Sequence, residues 1–181
     1  MLRVFFAVPL QFDNEVLKFF SDTREHFSGE RITWVKPEGI HLTLNFLGEQ
    51  TDDVVEKIMQ LSEKELKTMH SFTLQYTKPL LFGGIRNPKV IGLELSCPKE
   101  MTMLKKKVDN LVQTLGLEVE TRAFVPHLTF GRVKEAHHSA LYADYLKQTI
   151  DLPELPINNL ILYQSFLSPQ GAVYKSLWKS V

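Results

Sequence analysis

The pattern His-x-Thr occurs twice in this chain, as His41-Leu42-Thr43 and as His127-Leu128-Thr129. Each copy follows a proline-containing segment and lies in an apolar run, His41-Leu42-Thr43-Leu44-Asn45-Phe46 in the first and His127-Leu128-Thr129-Phe130-Gly131-Arg132 in the second. Extended chain alternates its side chains between two faces, so His41 and Thr43 share one face while Leu42 and Leu44 point into a core. His127 and Thr129 are paired in the same way, opposite Leu128 and Phe130. A strand makes such positions rigid, as a catalytic constellation requires. Imidazole exists in both protonation states near pH 7, so two histidines can supply a base and an acid. Threonine hydroxyls donate to non-bridging phosphate oxygens, and a nearby arginine holds two such oxygens in its planar fork. Opening a cyclic phosphodiester uses this set: one group deprotonates water and another protonates the departing ribose oxygen. Fixed donors would then favour the transition state over the ground state.

Other chemistries find less support. A single His-x-Thr on a half-buried strand is usually a surface or satisfied core histidine; the duplication is what raises the functional reading. A catalytic zinc site wants a third histidine, carboxylate or cysteine, and no HExxH pattern is present. His137 and His138 are adjacent, so their rings do not naturally face one way, and both read as surface residues, as do His26 and His70. There is no G-x-S-x-G elbow around Ser165 and no G-x-x-x-x-G-K-[ST] phosphate loop at Gly83-Gly84. Lys105-Lys106-Lys107 reads as the solvated face of a helix, and no RNA-recognition, KH or zinc-finger signature is visible.

The elements that must carry these residues can be placed coarsely. Residues 3–8 form a buried first strand rather than a signal peptide, since the apolar run is short and lacks a small-x-small cleavage site. Asp13 to about Phe27 reads as a helix, and Ile32 to Val35 and Ile40 to Leu47 read as strands, the second closed by Gly48. Thr51 can cap a second helix, with Asp52 and Asp53 in its first turn. Strands are expected over Phe72–Tyr76 and Val90–Leu95, with a loop or bend at Leu81–Gly84. The clearest helix begins near Pro98, carries Met101, Leu104, Val108, Leu111, Val112 and Leu115 on one stripe, and stops at Gly116. Val119 to Thr121 can pair at an edge, Val125 to Phe130 is a strand, and Leu141 to Leu146 is a short helix. Leu152 to Pro156 is an extended connection, and Leu160 to Phe166 is a late strand. Gly171 marks a turn into Val173 to Trp178. Three or four helices against many short strands make an α+β fold with largely antiparallel sheets.

Composition bounds the function. The 181 residues are 44% apolar and 23% charged, enough for one domain with a real core and too apolar for extensive disorder. Lys and Arg number 21 against 21 Asp and Glu, which argues against broad electrostatic capture of nucleic acid or membrane but leaves room for a local phosphate grip. Cys97 is the only cysteine, so no intrachain disulfide forms; a buried thiol in a reducing, cytoplasmic setting is the expectation. No stretch reaches the 18 to 20 apolar residues a bilayer span needs.

Taken together, these residues resemble the two-histidine phosphoesterase superfamily, and within it the RNA 2′,3′-cyclic phosphodiesterases also known as the 2′-5′ RNA ligase family. Besides the paired motifs, Phe5-Phe6-Ala7-Val8-Pro9 is similar to the family's opening strand, Trp34-Val35 leads into the first motif, and Arg122 to Pro126 leads into the second. Leu162-Tyr163-Gln164-Ser165-Phe166-Leu167, with Gly171 and Tyr174, is similar to its closing hairpin. The resemblance implies one domain over residues 1–181, with two pseudo-symmetric lobes around a central cleft and one His-Thr pair from each. It implies metal-independent hydrolysis of an RNA 2′,3′-cyclic phosphate to a 2′-phosphate, with weak reversible 2′-5′ ligation in several members. By position, His41 is then the acid that protonates O3′ and His127 the base, with Thr43, Thr129 and Arg132 on the phosphate and no cofactor. Trp34, Phe46 and Phe124 are candidates for the nucleoside side of the cleft. The partner is an RNA end or small cyclic nucleotide, with a monomer as the default.

Arg132 does not fit simple alternation. Five residues after His127, it falls on the opposite face of an unbroken strand, so either Gly131 permits a bend or the strand ends there and the side chain reaches around. Arg122 is the other clamp candidate, more at home on the rim. An RNA-end binding module without turnover is the alternative function, separable from an enzyme by product formation.

Overall fold

The computed structural model describes residues 1–168 and 171–181. In chain order the elements are β1 (Leu2–Pro9), α1 (Asn14–His26), β2 (Arg31–Trp34), β3 (His41–Gln50), α2 (Asp52–Glu65), β4 (Phe72–Leu74), β5 (Tyr76–Phe82), β6 (Val90–Leu95), α3 (Lys99–Thr114), β7 (His127–Glu135), α4 (Ser139–Tyr145), β8 (Leu155–Ile157), β9 (Ile161–Ser168) and β10 (Gly171–Lys179), with a 3₁₀ turn at Pro37–Gly39. Two four-stranded sheets, ordered β10-β9-β1-β3 and β2-β7-β6-β5, and a β4-β8 ribbon are antiparallel throughout the described pairings. This is the expected α+β architecture.

Local chemistry explains the helix starts. The Asp13 carboxylate accepts from the Val16 N–H at 2.9 Å and the Thr51 hydroxyl from the Val54 N–H at 3.4 Å, each satisfying a backbone donor left free at a helix N-terminus. Gly116 ends the α3 region at φ +73°, a left-handed conformation that costs other residues more. The α3 stripe is buried at Met101, Leu104, Val108, Leu111 and Val112. α2 and α3 pack on the first sheet. α1 packs on the second, where Phe20 meets Phe130 edge-on at 5.1 Å, and α4 joins it through a buried Tyr145 hydroxyl that donates to the Gly92 carbonyl at 2.7 Å. One buried apolar cluster runs through both sheets, from Phe6 and Leu42 to Leu93, Leu128 and Phe130.

Several expectations change. Residues 119–121 form no strand, whereas Leu155–Ile157, expected as a connection, pairs with β4. Residues 72–76 divide at Gln75 into strands of two different sheets, and β5 continues through Leu81 and Phe82 before the Gly83 turn. β3 runs through Gly48 to Gln50, and β7 runs through Gly131 to Glu135 instead of stopping there. Cys97 is exposed, not buried. Lys105 is not solvated: it lies against α3 itself, its ammonium on Asp109, whose Oδ1 also accepts from Asn45 at 2.8 Å. His26 bonds the Leu141 carbonyl at 2.8 Å and ties α1 to α4. Gly171, expected to mark a turn, opens β10. Among the described residues no helix is long and apolar enough to cross a membrane.

Candidate active site

His41 and His127 open β3, the edge strand of the first sheet, and β7, an inner strand of the second, and these two strands are where the sheets touch. Each imidazole is held by the same local device. His41 Nδ1 lies 2.8 Å from the Gly39 carbonyl and His127 Nδ1 lies 2.7 Å from the Val125 carbonyl, in both cases two residues back. A carbonyl only accepts, so Nδ1 carries the hydrogen, and Nε2 is the nitrogen left to exchange protons with a ligand. Thr43 and Thr129 follow two residues later on the same faces, half-buried, the first between the buried Leu42 and Leu44 and the second between the buried Leu128 and Phe130.

The strand register explains Arg132. In the β1–β3 pairing Ala7 opposes Thr43 and Phe6 opposes Asn45, leaving Leu44 as an extra residue. In the β6–β7 pairing Gly92 opposes Thr129 and Ile91 opposes Gly131, leaving Phe130 extra at the equivalent place. Each is a β-bulge, and an extra residue reverses the facing of everything beyond it. Phe46 and Arg132 therefore rejoin the face of their own histidines, while Asn45 and Gly131 are buried. Gly131 has no positive φ; a Cβ there would stand 2.6 Å from Ile32 Cγ2 and 2.9 Å from Trp34 Cε3, so its smallness admits those two side chains.

The same fact removes Trp34 from the cleft. Its ring stands edge-on to Phe20 of α1 at 6.1 Å, beneath the Arg24 guanidinium, on the helix-covered side of the sheet. Phe124 is engaged by the Lys105 ammonium at 5.5 Å and by the core, not by either histidine ring. Phe46 differs: it is 63% exposed and lies 5.7 Å from Phe5, whose ring is 5.0 Å from His41. Arg122 is exposed and ion-paired with Glu120.

The two imidazoles have unlike surroundings. His41 sits among Phe5, Tyr174 and Tyr163 at 5.0, 5.0 and 6.4 Å, while His127 meets Phe82 edge-on at 4.8 Å. Sequence reasoning missed these aromatic walls. Tyr163 and Tyr174 belong to the closing hairpin, and Phe5 lies in a run, Val4 to Val8, that is apolar and buried throughout, so no polar alternation marked which of its residues faces the histidine. Burial pushes the His41 imidazole below the usual value of 6.5, the charges of Arg132 and His127 push it further, and the Gly39 bond only partly opposes them. Burial and Arg132 likewise lower His127, against the Val125 bond and the carboxylate of Glu94. Arg132 thus acts on both histidines from one position. Among the described residues, no three His, Cys, Asp or Glu side chains group as a metal site. Two Nε2 atoms poised for proton exchange, a cation and two hydroxyls across a seam can bind an anionic phosphate and move two protons.

Known proteins carry the same organisation. The model of the LigT-like phosphoesterase family matches the chain twice, over residues 7–92 and 93–174. The RNA 2′,3′-cyclic phosphodiesterase of Thermotoga maritima is 30% identical over 98% of this chain and 94% of its own, and that of Archaeoglobus fulgidus is 29% identical over 97% and 98%. Among solved structures, a Thermus thermophilus protein superposes with a TM-score of 0.82 at 22% identity, covering 99% of this chain and 97% of that one. E. coli LigT complexed with 3′-AMP superposes at 0.74 with 23% identity, over 98% and 96%. The repeated match does not follow the sheets, since β9 and β10 of the second half complete the sheet begun by β1 and β3. With both halves matching that model and a curated relative aligned nearly end to end, the chain belongs to the LigT-like phosphoesterase family.

Proposed function

We propose that this chain hydrolyses the 2′,3′-cyclic phosphate at an RNA end to a 2′-phosphate, using His127 as base, His41 as acid and no metal ion. The observation that carries the reading is the duplicated bulged strand, which presents His, Thr and then Arg132 or Phe46 on one face in each sheet. The family membership and relatives that bear the name RNA 2′,3′-cyclic phosphodiesterase support it.

In this mechanism Thr43, Thr129 and Arg132 hold the phosphate's non-bridging oxygens. His127 Nε2 takes a proton from water, the hydroxide oxygen bonds to phosphorus, the P–O3′ bond breaks, and O3′ takes the proton from His41 Nε2. The free protein's low-lying imidazoles gain basicity when the phosphate anion arrives, which lets His41 be charged in the complex. Phe46, exposed beside Phe5, offers a stacking surface to the nucleoside. With a 5′-hydroxyl of RNA in place of water, the same pair would join RNA ends weakly through a 2′-5′ linkage. The whole chain acts as one domain, because neither sheet is complete without strands from both halves of the sequence.

The test is product identification from an RNA ending in 2′,3′-cyclic phosphate, incubated with the purified chain in EDTA. A 2′-phosphate product supports the proposal. A 3′-phosphate, activity lost to chelation and restored only by a divalent ion, or tight binding with unchanged ends overturns it.

A further inference from the structure

The two lobes repeat each other closely enough that a difference between equivalent positions is informative. In the first sheet, the residue paired with His41 on the neighbouring strand is Pro9. In the second sheet, the residue paired with His127 is Glu94. Partners across an antiparallel pair share a face, with Cβ atoms about 4.5–5.5 Å apart, so Glu94 shows its carboxylate to the same cleft side as the His127 ring. The carboxylate is met from the next strand by Lys78, whose Nζ lies 3.4 Å from Glu94 Oε2, and the Thr77 hydroxyl fixes the Glu94 backbone by donating to its main-chain carbonyl at 3.1 Å. His41 has no acidic neighbour of this kind among the described residues; its surroundings are Phe5, Tyr163 and Tyr174.

We propose that Glu94 divides the labour between the two histidines, by stabilising the positive charge His127 acquires when it takes the proton from water. Glu94 acts through His127 and does not touch the reacting atoms, so it is a positioning residue. An otherwise near-symmetric pair of imidazoles could exchange roles. One carboxylate beside one of them removes that symmetry, because the base gains a charge during the reaction while the acid loses one. His41, walled by aromatic rings and paired across the strands with Pro9 instead of a carboxylate, is suited to giving its proton away. The charged groups that bear on His127 are Arg132 on its own strand, Glu94 on β6, Lys78 behind Glu94 on β5, and His41 across the seam. Burial and Arg132 oppose the charge on His127, while the Val125 carbonyl and the Glu94 carboxylate favour it; the carbonyl bond has its counterpart at His41, and the carboxylate does not.

This inference rests on the hydrolytic reading above, and its test is chosen to fail separately. Proton uptake by His41 and His127 is followed by NMR in the ¹⁵N-labelled full chain without substrate, with H41N and H127N variants assigning the signals. Two charges about 5–6 Å apart in partly hydrated surroundings correspond to a shift of about 0.5–1 pH unit. Glu94→Gln should lower the His127 midpoint by about that amount and leave His41 within about 0.2 unit, while Glu94→Asp keeps most of the effect. Lys78→Gln should move His127 the other way, by less, since it frees the carboxylate from a competing cation. In turnover, E94Q should lower kcat/KM at its optimum about two- to threefold, the loss expected of a weaker base. An unmoved His127 midpoint, or a His41 midpoint that moves equally, overturns the role of Glu94. Absence of turnover in the unaltered chain would instead overturn the hydrolytic reading and leave the midpoints to be judged alone.

Discussion

Gly92→Ala is the perturbation with the most definite structural consequence. A Cβ at Gly92 would stand 1.9 Å from the Leu128 carbonyl oxygen and 3.0 Å from the Leu128 carbonyl carbon, where ordinary contact begins near 3.4 Å. The obstacle is backbone inside a sheet, so no rotamer change relieves it. β6 must retreat from β7 by an amount of order 1 Å, at the point where Gly92 faces Thr129 and the bulge begins. Overpacking costs about 1–3 kcal/mol and each strained ladder hydrogen bond about 1 kcal/mol, so the expected loss of stability is about 2–4 kcal/mol. The Gly92 carbonyl also receives the buried Tyr145 hydroxyl, so its movement loosens α4. Thr129 and Arg132 ride on the displaced strand, and a misplacement near 1 Å costs on the order of 100-fold in rate. Urea unfolding and kcat/KM on a cyclic-phosphate RNA measure both effects, with Gly29→Ala as the control, since nothing lies within 4 Å of a Cβ there. A G92A protein within about 0.5 kcal/mol and threefold of the parent would refute the claim that this close strand contact aims Arg132.

Two further outcomes are expected. Both cleft imidazoles sit below 6.5 in the free protein, so kcat/KM, which reports the free enzyme, should peak below pH 6.5; an optimum above 7 contradicts the burial and Arg132 effects. Away from the cleft, the Glu30 side chain has no exposed surface and accepts from the His137 and His138 backbone N–H groups, His138 Nδ1 and the Tyr142 hydroxyl. Glu30→Ala should therefore cost about 2–4 kcal/mol in urea unfolding at pH 7, with little change in the midpoints of His41 and His127, because four donors lose their partner at once. Burial alone would raise the Glu30 carboxyl, but those bonds outweigh it and hold it low. Its contribution is accordingly present above the ordinary carboxyl range and lost as pH falls through the lowered value, so parent and variant should converge in acid.

The His-Thr pairs were legible from sequence because strand alternation is a local property with a period of two. Arg132 and Phe46 were harder to face, since the bulge that turns them depends on the pairing of β7 with β6 and of β3 with β1. The residue that permits the close approach at β7, Gly92, lies on another strand altogether. Trp34 was misplaced because a four-residue strand leaves its covered face open; the signal was Gly131, whose missing side chain makes room for the indole. Three consecutive lysines sweep about 200° of a helix, just over half of its circumference, so one of Lys105, Lys106 and Lys107 borders the buried stripe; it is Lys105, which meets Asp109 one turn on, and the bulge that buries Asn45 sets its amide on the same carboxylate. The β4–β8 ribbon rests on segments of three residues, too short for any periodicity to register.

The division of roles between the histidines is the central claim, and a substrate with sulfur in place of the bridging O3′ tests it most directly. A thiolate leaves without help from an acid, so the need for His41 disappears while the need for a base remains. On the normal substrate, His41→Ala and His127→Ala should each lose about 10²–10⁴-fold in turnover. On the sulfur substrate, H41A should return to within about tenfold of the parent while H127A stays slow. Rescue of H127A, or no rescue of H41A, would contradict the account.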